Sequence, residues 1–150
     1  ETPQTKQITA NMRPGVITLE GFLGSDSRGL DDIIFEDDGY VGRMGLSHEE
    51  ISAKMNTLKA QGAEGLGEFI NVPPHFEVKV DSVRGKLPCP FSHPGIYPKT
   101  NTTVVNTRLD REITYTDLHI HMIEAHGFYE GRGSRFRLEP RDLIEILELL

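Results

Sequence analysis

Residues 101–127 read NTTVVNTRLDREITYTDLHIHMIEAHG. Asn101 to Thr107 is rich in β-branched residues and reads as a strand. Leu109 to Glu112 turns and Ile113-Thr114-Tyr115 returns, so a hairpin is expected. The remainder carries two periodicities. Asp117, His119 and His121 alternate with Leu118, Ile120 and Met122, which fits a strand continued from Ile113 to Ile123. Leu118, Met122 and Ala125 also form a helical stripe, with Thr116 or Asp117 as cap and Gly127 as stop. The two end signals favour a helix from Leu118 to His126.

Downstream, Phe128 to Arg137 is a loop bearing glycines and arginines. The run from His126 to Ser134 holds more glycine and aromatic residues than a spacer needs. Pro140 then opens a last helix, where its missing N–H costs nothing, and Leu143, Ile144, Leu147 and Leu150 are its buried face.

Upstream, Leu87 to Pro98 holds Pro88, Pro90, Pro94 and Pro98. That spacing predicts a stiff loop rather than a helix or a central strand. Arg84-Gly85-Lys86 reads as a turn before it. His75 to Asp81 alternates, with Phe76, Val78 and Val80 inward, as a half-buried strand does. Pro73-Pro74 breaks the chain. The glycines of 62–67 follow a helix and precede an extended run, the wrong order for a phosphate-cradling loop. Ser47-His48-Glu49-Glu50 has capping-box spacing and opens a helix over Ser47–Gln61, with His48 exposed in its first turn. Ser27 to Asp37 reads as an acidic helix capped by Asp26 or Ser27, and Val16 to Leu23 as a strand. Residues 1–14 are polar and aperiodic and read as a flexible arm.

The expected fold is therefore α+β. A small, mainly antiparallel sheet and three or four helices form a single domain over residues 15–150. The 150 residues suffice to bury a core without staples. A net charge of −7 argues against nucleic acid as a partner, because a phosphate backbone demands a basic face. The one cysteine excludes an internal disulfide. No apolar run reaches the roughly 18 residues of a membrane span, and the given residues show no signal-peptide pattern. The expectation is a cytoplasmic, bacterial-type domain without a membrane partner.

The chemistry concentrates between Leu87 and Gly133. Asp117, His119, His121 and His126, with Cys89 and His93 from the stiff loop, are candidate metal ligands. On a helix Asp117 and His121 share one face; on a strand Asp117, His119 and His121 do. At least two ligands converge either way. Imidazole, carboxylate and thiolate suit zinc or another divalent transition metal. The competing reading has these histidines capping helix ends or pairing with carboxylates, and His126 sits where a cation meets a helix C-terminus. Cys89 as a nucleophile needs a nearby base or a helix N-terminus, and the sequence shows neither.

Arg132, Arg135 and Arg137 form a candidate anion site, since guanidinium forks suit phosphate or carboxylate. The alternative pairs them with the acidic stretch Asp31–Asp38 or the last helix, in the same chain or in another copy. No named activity follows from the sequence. One expectation is a small domain with a His/Asp metal or ligand pocket that takes a small anionic ligand, metal-assisted hydrolysis being the first enzyme class to test. The other is a non-catalytic interaction protein that forms a homo-oligomer.

Overall fold

A computed structural model describes residues 2–150. In chain order the elements are α1 (Pro3–Asn11), α2 (Leu30–Arg43), α3 (His48–Gly62), β1 (Ile70–Val72), β2 (Phe76–Pro88), β3 (Ile96–Asn106), β4 (Arg111–Thr116), α4 (Asp117–His126) and α5 (Pro140–Ile146). The fold is α+β, as the sequence predicts. The four strands form one antiparallel meander in the order β1-β2-β3-β4. Across it Val78 faces Val104, and Val104 faces Ile113. Among the described residues no helix is long and apolar enough to cross a membrane.

The segment after the β3–β4 hairpin is a helix. Thr116 is its N-cap: the Thr116 hydroxyl accepts the His119 N–H, and the His119 ring accepts the Thr116 N–H. Gly127 ends it with φ 61°, the left-handed conformation that glycine adopts without penalty. Local end chemistry therefore overrides the alternation. Helical spacing then divides α4 between two cores. Ile120 and Ile123 join Met55, Leu58, Val78 and Val104 between the helices and the sheet. Leu118 and Met122 join Ile8, Met12, Phe22, Ile33 and Phe128 on the other side.

The capping box at Ser47 is present, and α3 buries Ile51, Met55 and Leu58 completely. Tyr115 of β4 donates its hydroxyl to the Met55 carbonyl at 2.8 Å, tying sheet to helix.

Four expectations differ from the structure. Residues 3–11, read as part of a flexible arm, are α1. Thr2 caps it, Pro3 stands in its first turn, and Ile8 and Met12 are buried in the second core. Its apolar residues are too few to show a stripe, which hid it. Residues 16–23, read as a strand, join no sheet among the described residues. The Phe22 N–H bonds the Met12 carbonyl and its carbonyl receives the Gly131 N–H, both at 2.9 Å. Gly21 lies against the backbone of Met12 to Pro14, a close approach that no side chain would permit.

The acidic helix starts later and runs further than expected, over Leu30–Arg43 with Gly29 as N-cap. Asp26 is spent on Arg28, whose guanidinium it binds at 2.6 and 2.9 Å. Finally, the stiff loop and the turn before it shrink. β2 continues to Pro88 and β3 begins at Ile96, with a register shift between Ser82 and Lys86. Beyond that shift β2 and β3 project past their neighbours β1 and β4. Pro88 and Pro98 therefore lie on strands with a free edge, where a missing N–H is tolerated. Only residues 89–95 remain as loop.

Candidate metal centre

Residues 89–95 are the tip of the β2–β3 arm, and the tip meets α4. Cys89 follows the last β2 residue and is 3% exposed, within the second core. Asn11 of α1 anchors the loop by donating its side-chain amide to the Pro90 carbonyl at 3.0 Å. Ser92 and Gly95 take φ of 59° and 120°, which let seven residues reverse the chain.

From α4 come His121 and His126, and the aromatic packing fixes both rings. His126 stacks on Phe91 with centroids 4.0 Å apart and planes 9° from parallel, and Phe91 in turn meets Phe128 edge-on. His121 stacks on Tyr97 at 4.5 Å and on His93 at 4.9 Å. The His121 and His126 rings stand nearly perpendicular at 5.4 Å.

The donor atoms converge accordingly. Cys89 Sγ lies 3.5 Å from His126 Nε2, and His93 Nδ1 lies 3.1 Å from His121 Nε2. One ligand atom from each of Cys89, His121 and His126 falls within a common 4.8 Å, so this group could hold a metal ion. Tetrahedral zinc, with Zn–N of about 2.0–2.1 Å and Zn–S of about 2.3 Å, sets its ligand atoms about 3.3–3.6 Å apart. The Cys89–His126 separation of 3.5 Å matches that spacing, and the group of three as a whole falls within the wider 4.8 Å.

Burial acts on all three groups. It pushes the Cys89 thiol up, against the pull of hydrogen bonds from the Phe91 and His93 backbone. It lowers His121, helped by the neighbouring His93, and brings His126 down to about 4, helped by His121 and His93. Both imidazoles are thus neutral near pH 7, the form that ligates metals. A bound cation would reverse the penalty on the thiolate.

Two predicted ligands lie elsewhere. Asp117 faces α3, with its carboxylate 2.7 Å from Lys59 Nζ. His119 bonds Glu130 at 2.8 Å. Position 117 shares a face of α4 with 121, and 119 with 126, so it is the competing partners Lys59 and Glu130, not the helical turn, that take both side chains.

The three arginines meet carboxylates of their own chain. Arg132 reaches Glu36 at 2.5 Å, and its N–H donates to Asp26 at 2.9 Å. Arg137 is buried and forks onto Asp37 with two bonds of 2.9 Å, bonding Glu139 as well. Arg135 is exposed and 3.6 Å from Glu20. Sequence reading missed two further polar groups. His48 is not free on the surface but bonds Tyr129 at 2.8 Å and Asp38 at 3.0 Å. Glu130 is 3% exposed and held at φ 74°. The unusual density of glycine and aromatics around it was the only signal.

Comparison with known protein families, with curated proteins and with solved structures finds no match to this chain.

Proposed function

We propose that this chain is a zinc-binding domain, with Cys89, His121 and His126 as ligands and His93 as the fourth. The observation that carries the reading is the convergence of a thiol and two imidazoles within 4.8 Å, from a loop and a helix far apart in sequence. Soft sulfur with borderline nitrogen suits zinc better than the hard cations magnesium and calcium. The 3.1 Å approach of His93 to His121 supports a closed centre of four protein ligands. Such a centre works as a staple, fastening the β2–β3 arm onto α4.

A second reading has one specific support: His93 is exposed and sits on the loop tip, so water can compete for its position. Zinc with three protein ligands acidifies a bound water, and metal-assisted hydrolysis is the activity class that follows. Asp117 has no part in this version, because Lys59 holds it. Arg135, the most exposed of the three arginines, is the one left to receive an anionic substrate. A non-catalytic homo-oligomer draws less support, because the arginines and acidic residues that suggested it satisfy each other within one chain.

Zinc titration of four variants tests the proposal. Cys89→Ala, His121→Ala and His126→Ala should each weaken zinc binding by tenfold or more. His93→Ala should do the same if the centre is closed. Unchanged affinity in that variant would make the fourth position water and would justify a screen for hydrolysis. Unchanged affinity in the other three would overturn the metal reading.

A further inference from the structure

A second polar group lies at the first turn of α4, beside a cavity that reaches Tyr97, the residue stacked on His121. His119 and Glu130 are 5% and 3% exposed, and both line a cavity of about 260 Å³. Its walls are mostly apolar and include Phe22, Leu87, Leu118, Met122 and Phe136. An apolar cavity of about 150 Å³ holds benzene. The space here therefore accepts an aromatic ring carrying a short substituent.

The hydrogen bonds fix the charge at the polar end. The Thr116 N–H donates to His119 Nδ1 at 3.0 Å, so that nitrogen carries no proton. The ring proton must sit on Nε2, which donates to Glu130 Oε2 at 2.8 Å. His119 in this arrangement is a neutral imidazole. The other carboxylate oxygen of Glu130 accepts the Ser134 hydroxyl at 2.6 Å. Arg137 bonds only the Glu130 main-chain carbonyl, and its fork is committed to Asp37 and Glu139. Among the described residues no Lys or Arg pairs with the Glu130 carboxylate. Lys99 also lines the cavity, but it is exposed and its side chain lies along Gly85.

A buried carboxylate held by two neutral donors keeps spare lone pairs and an uncompensated charge. Glu130 is also a non-glycine residue in the left-handed region, a conformation that persists only where the surroundings impose it. We propose that this cavity is a binding site for a small arylalkyl amine, the ring against the apolar walls and the ammonium on Glu130. His119 and Ser134 are positioning residues that aim the carboxylate. The site does not depend on the metal reading.

Benzylamine, toluene and phenylacetate are suitable probes, because they share the ring and differ in charge. Binding to the wild-type protein is measured by NMR titration, with intermolecular contacts sought at the Leu118 and Met122 methyl groups. Retention of those contacts in Cys89→Ser separates occupancy of the cavity from amine ligation of a metal at Cys89, which packs in the same core cluster. The expected result is saturable benzylamine binding at these methyls, at least tenfold tighter than toluene, with no binding of phenylacetate. Glu130→Gln should remove the preference for the amine over toluene. Should that variant fail to fold, the wild-type comparison decides alone. Toluene or phenylacetate binding as tightly as benzylamine, contacts at other residues, or no binding by any probe would overturn the proposal.

Discussion

The Cys89 thiol and the His126 ring lie 3.5 Å apart across 37 residues of sequence. The β2–β3 arm and the capped end of α4 create that meeting, and neither residue makes it alone. Gly127 is part of the arrangement, because it ends α4 directly after His126. Extending the helix by replacing Gly127 with alanine strains a residue at φ 61° and drives its Cβ towards the His48 ring. Gly127→Ala should lower stability by about 1 kcal/mol or more. It should also weaken metal binding, and urea denaturation with zinc titration reads both.

The arginine loop separates into a buried anchor and a surface residue. Arg137 is 7% exposed in its side chain and forks onto Asp37, itself 10% exposed. Removing one partner of such a pair leaves an uncompensated charge and costs about 3–5 kcal/mol. Arg137→Ala should lose that much by denaturant unfolding. Arg135→Ala, with an exposed side chain 3.6 Å from Glu20, should stay within about 0.5 kcal/mol of wild type. Equal losses at both positions would contradict the ion-pair geometry.

Tyr115 is the only side chain of β4 buried completely, and its hydroxyl donates to the Met55 carbonyl. Tyr115→Phe keeps the ring and deletes the bond. The expected cost is about 0.5–1.5 kcal/mol, measured by thermal or urea unfolding. No change in metal stoichiometry should accompany it, since Tyr115 lies in the core on the other side of α4 from Cys89.

Glu148 gives the fold an acid-sensitive contact. Hydrogen bonds from Asn106, then His75 and Arg108, hold its carboxyl down at about 2 from an ordinary 4.5. A carboxylate depressed in the folded state binds fewer protons there than in the unfolded chain, so its stabilisation grows with pH. The contribution is complete above about pH 4.5 and is lost as pH falls towards 2. The stability gap between wild type and Glu148→Gln should therefore close over that interval. A gap that stays constant from pH 6 to pH 3 would contradict the assignment.

What the sequence made legible was mostly local. Capping at Ser47, the stop at Gly127 and the alternation of Phe76, Val78 and Val80 each report a choice made within a few residues, and each holds. What stayed hidden depends on distant partners. Residues 16–23 have the composition of a strand, but Gly21 packs on Met12 to Pro14 and no neighbouring strand is offered. The prolines of 87–98 suggest only a loop until the free edges of the β2–β3 arm are known. Residues 3–11 lack a visible stripe because two buried side chains suffice to dock α1.

The candidate site follows the same division. Cys89, His93, His121 and His126 were singled out by residue type, and the fold brings these four together. Asp117 and His119 were grouped with them by shared face, on a helix or a strand, and the partners Lys59 and Glu130, which lie outside α4, take them instead. The burial of Glu130 was not legible, because the dense glycine and aromatic run around it marks the segment and not the residue.

The measurement that bears most directly on the central claim is elemental analysis of the untagged protein, purified without added metal or chelator, beside Cys89→Ser. Near-stoichiometric zinc in the wild type and its loss in a folded Cys89→Ser variant is the expected result. A folded wild-type protein that carries no metal and takes up none from added zinc, or a Cys89→Ser variant with full zinc content, would contradict the metal centre.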